Sequence, residues 1–256
     1  MSVRAKKHLG QHFLTDENIA KDIVNGLTFT GYETIVEVGP GMGVLTKYLL
    51  QTDRKLFLAE IDEESIAYLR KNYSQLSEPS FIGDFLKTDF DFADDRQTAI
   101  IGNFPYNISS QILFKIIDHH GIIPEMVGMF QKEVAERTAA VPRTKSYGIL
   151  SVLVQAYYDV EYLFTVHENV FNPPPKVKSG VIRLTRNLKD GLEGNKELFK
   201  QIVKAGFNQR RKKLSNALKT LEIPEALQQH EFMDKRAEEL SVADFIAFAQ
   251  IWKANK

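Results

Sequence analysis

The sequence predicts an α/β protein: a doubly wound, mostly parallel sheet followed by a small, all-helical C-terminal region. Three observations predict it. Short apolar runs alternate with amphipathic stretches up to about residue 140, the pattern of strands crossed over by helices. A glycine-rich turn, Gly39-Pro40-Gly41-Met42-Gly43, joins the first of those runs to the next helix,. Beyond residue 190 the apolar residues recur only at helical spacing,.

Residues 16–28 read as a helix capped by Thr15 or Asp16, with Ile19, Ile23, Val24 and Leu27 on one face,. Residues 35–38 form a short buried strand, and the glycine turn feeds a helix over 44–50. A second strand follows at 56–61 and a helix at 63–73. Residues 81–82, 99–102 and 126–130 are further strands, with helices at 109–118 and 131–140. The pattern then changes. Residues 157–166 and 177–185 are β-rich and joined by a proline-rich loop, as in an antiparallel edge pair,. Residues 187–195 hold two glycines and no apolar period, which makes them the linker,. Helices are expected at 196–206, 208–220 and 242–253, so the chain divides into domains 1–189 and 190–256.

A chain of 256 residues buries one large core, or one core and a small appendage,. No apolar run approaches the 18 or so residues of a membrane span,. The first ten residues carry Arg4, Lys6 and Lys7 without an apolar stretch, so no secretory signal is expected,. Cysteine is absent, which removes disulfides, thiolate nucleophiles and sulfur-ligated zinc,. His119-His120 lacks a companion ligand and reads as a helix end, so no metal site is expected. Thirty-three basic and 33 acidic residues cancel. Any nucleic-acid reading must therefore rest on where the charges sit.

Gly39, Gly41 and Gly43 lie between a strand and a helix, where glycine lets the backbone turn tightly and approach a ligand. Glu60 ends the next strand about 20 residues on, where an acid commonly accepts hydrogen bonds from ribose hydroxyls. Spacing and chemistry together indicate an adenosine-containing cofactor. Val44 stands where a dinucleotide fingerprint wants Gly or Ala, which counts against a nicotinamide. Asp84, in Gly83-Asp84-Phe85, is placed to accept from the adenine amino group; the plainer alternative is a helix N-cap.

Asn103-Phe104-Pro105-Tyr106 follows the strand at 99–102. An aromatic amine such as adenine N6 is a poor nucleophile because its lone pair is delocalised into the ring. Two acceptors for its N–H hydrogens favour a more tetrahedral nitrogen. Asn103 offers a side-chain carbonyl and Phe104 a main-chain one, Pro105 stiffens the turn, and Tyr106 offers a face for the base. The chemistry needs alignment and desolvation more than a general base.

These segments together resemble a known family. Gly10-Gln11-His12-Phe13-Leu14, Glu37-Val38-Gly39-Pro40-Gly41, Glu60-Ile61-Asp62, Gly83-Asp84 and Asn103-Phe104-Pro105-Tyr106-Asn107-Ile108-Ser109 occur in the order found in KsgA-type dimethyladenosine transferases of small-subunit ribosomal RNA. Phe171-Asn172-Pro173-Pro174-Pro175-Lys176-Val177 and Arg210-Arg211-Lys212-Lys213-Leu214 resemble the later motifs of that family. The resemblance implies a Rossmann-like sheet using S-adenosyl-L-methionine and transferring two methyl groups to each of two adjacent adenosines near the 3′ end of 16S rRNA. It implies a cofactor pocket drawn from His12, Leu14, Gly39, Gly41, Glu60, Ile61, Asp84, Phe85 and Asn103. The implied partners are small-subunit rRNA and the assembling 30S particle, met in the cytoplasm by a monomer with no membrane attachment. Two positions depart: the family more often has Asn at 12 and Leu at 104.

An extruded base needs two walls. Phe171, ahead of three prolines, is the candidate for the second wall beside Tyr106; the alternative is a hydrophobic anchor. From Lys200 to Lys219 there are seven basic residues and no acid, so Arg210, Arg211, Lys212 and Lys213 are candidates for phosphate contacts on a basic helix, extended by Arg4, Lys6 and Lys7. Three other functions compete: a large-subunit rRNA methyltransferase conferring antibiotic resistance, an assembly factor acting mainly by binding, and, more remotely, a nicotinamide-dependent dehydrogenase.

Overall fold

A computed structural model describes residues 3–93, 96–187, 192 and 194–255. In chain order the main elements are β1 (Phe13–Leu14), α1 (Glu17–Asn25), β2 (Thr34–Val38), α2 (Thr46–Leu49), β3 (Lys55–Ala59), α3 (Glu63–Asn72), β4 (Thr98–Asn103), α4 (Ser109–Asp118), β5 (Glu125–Gln131) and α5 (Lys132–Thr138). Then come α6 (Ile149–Gln155), β6 (Tyr158–Val166), β7 (Phe171–Asn172), β8 (Ser179–Arg186), α7 (Lys196–Asn208), α8 (Leu214–Ala217) and α9 (Val242–Ala254).

Six strands form one sheet in the order β3-β2-β4-β5-β8-β6. The first four run parallel, and β8 pairs antiparallel with β5. β2 is buried at all five residues, as a strand covered on both faces must be,. The chain leaves β2 for β3 on one side and returns as β4 on the other. That reversal opens a crevice at the carboxyl ends of β2 and β4, where ligands bind in such sheets. α1 starts where Asp16 accepts from the backbone N–H groups of Asn18 and Ile19, at 2.9 and 3.1 Å,. Its Ala20, Ile23 and Val24 enter a core that also holds Ile35, Ile101, Val127 and Phe171.

Chain contacts form two compact units, residues 1–136 with 160–186 and residues 137–159 with 187–256. A single cut at 189/190 therefore leaves out the stretch 137–159. Most of the linker expected at 187–195, including the cut itself, lies outside the described residues. In the second unit α7 packs on α6, α8 and α9, around the buried rings of Phe199, Phe245, Phe248 and Trp252. α9 begins with a reciprocal cap: Ser241 Oγ accepts from Asp244 N, and Asp244 accepts from Ser241 N,.

Four local expectations change. The helix expected over 208–220 shrinks to α8, because Lys213 is extended, bridges to Arg236, and Leu214 N donates to Lys235 O at 2.8 Å. That pairing holds the basic run 209–213 in a turn rather than a helix. The strand at 81–82 is one isolated bridge, Phe81 to Leu58. The helix after the glycine turn keeps only the four residues of α2. Finally α6 has no counterpart in the sequence reading: Ile-Leu-Ser-Val-Leu-Val is buried almost all round, so no period marks it,.

Candidate active site

The carboxyl ends of β2, β3 and β4 converge on an open cleft with a cavity volume of about 130 Å³. His12, Gly39, Gly41, Glu60, Ile61, Asn103, Phe104 and Tyr106 line it, so eight candidate residues scattered over 95 positions meet in one place. Phe13 and Leu9 to Gln11 line it as well. No group of three or more metal-ligating side chains is placed to hold an ion among the described residues.

Gly39 and Gly41 have φ of 68° and 55°, in the left-handed region where a side chain is strained,. At Gly41 a Cβ would also stand 2.8 Å from the Phe13 ring. Glu60 is buried, and its carboxylate accepts from the backbone N–H groups of Gly41, Ile61 and Asp62 at 3.2, 2.9 and 2.9 Å. Burial raises this carboxyl above its ordinary value, opposed by those three donors,. Beside it Ile61 is 55% exposed. A large apolar side chain held in solvent beside an acid suits the face of an adenine and the hydroxyls of its ribose.

Asn103 has a defined orientation. Its Nδ2 donates to the His12 carbonyl at 2.8 Å; a carbonyl only accepts, so the NH2 end must face it. Among the described residues no donor is bonded to Oδ1, which stays available for an amine. Phe104 contributes no ring to the cleft. The residue as a whole is 1% exposed, and its ring lies against Gly102 and Gly128, register partners on β4 and β5. A Cβ at Gly128 would come within 2.0 Å of it. That glycine pair is how the sheet accepts the Phe104 ring, and only the backbone of residue 104 is left to act. Tyr106 is half-buried, its hydroxyl 2.6 Å from Ser179 Oγ, and burial raises its phenol.

The remaining candidates lie elsewhere. Leu14 is buried and lines a smaller recess that shares Phe13, Gly39 and Asn103 with the cleft. Asp84 is not among the cleft's lining residues: its Oδ1 caps the following turn through Leu86 N at 2.9 Å, and its Oδ2 is 3.6 Å from Lys87. Phe85 is buried edge-on to Phe90. Phe171 is corrected from clamp to anchor, because β7 pairs with β1 and drives its ring into the core next to Leu14. In the basic run, Arg210 is ion-paired with Glu238 and donates to the carbonyls of Lys145 and Thr144 at 2.7 and 2.9 Å. Lys213 pairs with Asp234 at 2.8 Å. Arg211 and Lys212 are exposed. Lys6 is bound to Asp62 and lies 3.3 Å from Glu64, so its charge is already matched.

Two features escaped the sequence reading. Glu37, at the floor of the recess, is fully buried and accepts from Thr46 Oγ1 at 2.6 Å. Burial pushes its carboxyl up to about 8, helped by the nearby Glu60 charge. Its signal was an acid in an otherwise apolar buried strand. The second is a strap: Gln11 donates to Asp62 at 3.1 Å, and Lys6 N donates to Gln11 at 2.8 Å. Burial alone would raise the Asp62 carboxyl, but Lys6, Gln11 and Ser65 together hold it below its ordinary value. Nothing in the local sequence joins position 6 to position 62.

Comparison with known proteins places this geometry. A model of the family described as ribosomal RNA adenine dimethylase matches residues 2–254. A ribosomal RNA small subunit methyltransferase A of Cytophaga hutchinsonii is 58% identical over 246 residues, 95% of each chain. The protein of the same name from Flavobacterium johnsoniae is 55% identical over 254 residues, 99% of this chain and 97% of that one. Among solved structures, a dimethyladenosine transferase from Plasmodium falciparum superposes with a TM-score of 0.79 at 26% identity, covering 95% and 98% of the two chains. A 23S rRNA methyltransferase shares the fold, with a TM-score of 0.66 at 24% identity over 92% and 98% of the chains.

Proposed function

Since the chain belongs to the ribosomal RNA adenine dimethylase family, we propose that its cleft holds S-adenosyl-L-methionine beside an adenine extruded from small-subunit rRNA. The protein is an S-adenosyl-L-methionine-dependent rRNA methyltransferase, and its reaction is dimethylation of adenine N6 in 16S rRNA. Its targets are two adjacent adenosines near the 3′ end. They are met by a monomer in the cytoplasm, on the assembling 30S particle.

The residues present fit the cofactor. Gly39 leaves room against the backbone, Gly41 lets the Phe13 ring close on the turn, Glu60 offers a carboxylate to ribose hydroxyls, and Ile61 offers an apolar face to adenine. When bound, S-adenosyl-L-methionine supplies a methyl group on a positively charged sulfur. The side chains supply alignment. In the first transfer Asn103 Oδ1 and the Phe104 carbonyl accept the two N6 hydrogens, and in the second one of them accepts the hydrogen that remains, which turns the nitrogen lone pair out of the ring system. Tyr106 supports the base from one face. No side-chain base is required, because the nitrogen becomes acidic only as it gains the methyl group and then yields its proton to water. Arg211 and Lys212 are the exposed cations of the basic run and supply phosphate contacts,.

One observation carries this reading: the Asn103 amide in the cleft wall is tethered through Nδ2, while no donor among the described residues is bonded to Oδ1. The test is incubation with radiolabelled donor and isolated small subunits lacking the modification, followed by mapping. Label on neighbouring adenosines near the 3′ end is expected. Label elsewhere in the small-subunit RNA, or none, overturns the reading. The large-subunit alternative rests on a shared fold only, whereas both close bacterial relatives carry the small-subunit name.

A further inference from the structure

The glycine turn is held from behind by a residue that does not line the cleft. At its start Gly39 still belongs to the sheet, where its N–H donates to the Ala59 carbonyl at 2.9 Å. Beyond Gly39 the turn has left the ladder, and the side chains of Glu60 and Tyr73 bond to its backbone. Glu60 accepts from Gly41 N at 3.2 Å. Tyr73 donates its hydroxyl to the Gly43 carbonyl at 3.0 Å, and that carbonyl also accepts from Lys47 N at 3.2 Å as α2 begins. Gly43 has φ of 83°, and a Cβ there would stand 2.6 Å from the Tyr73 ring, so the backbone lies directly against the ring. Glu60 and Tyr73 flank the two ends of α3. The helix begins at Asp62, whose N–H donates to Glu60 Oε1 at 2.9 Å and whose carboxylate caps Glu64 N at 3.2 Å. It ends at Tyr73, which donates its N–H to Leu69 O at 2.9 Å and packs with the buried Leu58 and Leu69.

We propose that Tyr73 is a positioning residue of the cofactor cleft, and that α3 is a spacer holding the far end of the glycine turn at a fixed reach from Glu60 and Ile61. This rests on the reading of the cleft as the S-adenosyl-L-methionine site. Glycine leaves the torsions of a turn loose, and each torsion that a ligand must freeze weakens its binding. A helix of ten residues is about 15 Å long and stiff along its axis,. A hydroxyl fixed at its C-terminal end therefore carries the position of its N-terminal end to whatever the hydroxyl touches. Chain and hydrogen bonds close a circuit, from Gly41 through Glu60, Asp62 and α3 to Tyr73 and back to Gly43. The buried acid and the turn are thereby set relative to each other before the cofactor arrives, which is how a supporting residue preorganises a site it never touches.

The ring and the donor can be separated by substitution. Tyr73→Phe keeps the ring and loses the donor; Tyr73→Leu loses both and stays apolar. S-adenosyl-L-methionine affinity is measured by calorimetry and folding by melting curves. KM for isolated small subunits lacking the modification, and kcat at saturating cofactor, come from initial rates. Tyr73→Phe should raise the cofactor Kd about fivefold, the worth of one hydrogen bond, and Tyr73→Leu about tenfold or more. KM for the subunits and kcat should stay close to those of the parent protein, because saturating cofactor orders the turn that Tyr73 no longer holds. An unchanged cofactor Kd in Tyr73→Phe overturns the proposal, even if the melting temperature falls, since Tyr73 would then serve the fold alone. A cofactor Kd that rises together with KM for the subunits overturns it as well, because the whole site would have loosened. If the parent protein itself binds no S-adenosyl-L-methionine, the reading of the cleft fails and this proposal falls with it, a result distinct from the other two.

Discussion

The glycine turn after β2 and the basic run at 210–213 are equally conspicuous in the sequence, yet the fold treats their polar groups in opposite ways. Around the turn, Glu60, Ile61 and Asn103 converge on an open cleft, and Asn103 Oδ1 has no donor bonded to it among the described residues. In the basic run, Arg210 and Lys213 are already matched by Glu238 and Asp234, and only Arg211 and Lys212 face solvent without such a partner being shown. The difference lies in how specific each signal is. Glycine at a positive φ answers a backbone demand that few other residues meet. A cation answers any nearby anion, and acids brought in from distant positions decide which of several cations remain available.

The contrast breaks most severely at Asn103. Asn103→Ala should lower kcat for methylation about a hundredfold to a thousandfold while changing cofactor affinity far less; turnover like that of the parent protein would remove Oδ1 from the mechanism. Glu60→Ala should weaken S-adenosyl-L-methionine binding about tenfold or more, since a buried carboxylate leaves several hydrogen bonds, and an unaltered calorimetric titration would take Glu60 out of the pocket. Glu37 sharpens the comparison through pH. Its raised carboxyl keeps a proton that the unfolded chain has lost, so stability should fall as pH rises from about 4.5 to about 8,. Glu37→Gln should flatten that slope, which amounts to a few kcal/mol in order of magnitude. Melting curves for both proteins across that window decide the point, and parallel curves would show that Glu37 is ionised.

Smaller effects separate the members of the basic run. Arg211→Ala with Lys212→Ala should reduce the slope of log affinity against log salt by about 2 and leave melting unchanged. Arg210→Ala should instead cost about 1–2 kcal/mol of stability, because Glu238 and two carbonyls lose their donor,. If the two variants behave alike in both measurements, the division of the run into anchored and free cations is wrong. The smallest change is expected from Lys6→Met, which loosens the strap over the cleft and should raise the cofactor Kd about two- to fivefold, an effect that fades at high salt.

Legibility follows the range of each interaction. The helix at 109–118, the cap at Asp16, the strands of the parallel sheet and the motif residues of the cleft are all set by local spacing or local backbone demands, and the sequence displays them. α6 is hidden because burial on every side erases its period. The turn at 209–213 is hidden because a bridge to Arg236 overrides local helical preference. Phe171 beside its prolines reads as either a clamp or an anchor, and pairing with β1 buries it. Asp84 reads as a ligand or, more plainly, as a cap, and its Oδ1 accepts from Leu86 N.

By itself, the sequence determined the α/β class, the glycine turn, the acid one strand later, the Asn-Phe-Pro-Tyr segment and the family, because each depends on residues within one element or on motifs in a set order. Tertiary structure alone decided which way Asn103 points, which cations are neutralised, that residues 137–159 join the C-terminal unit, and that Tyr73 meets Gly43. Those outcomes depend on atoms brought together from positions far apart in the chain. A side chain's partner is chosen by what folding places beside it, and the one-dimensional order of residues does not encode that distance directly.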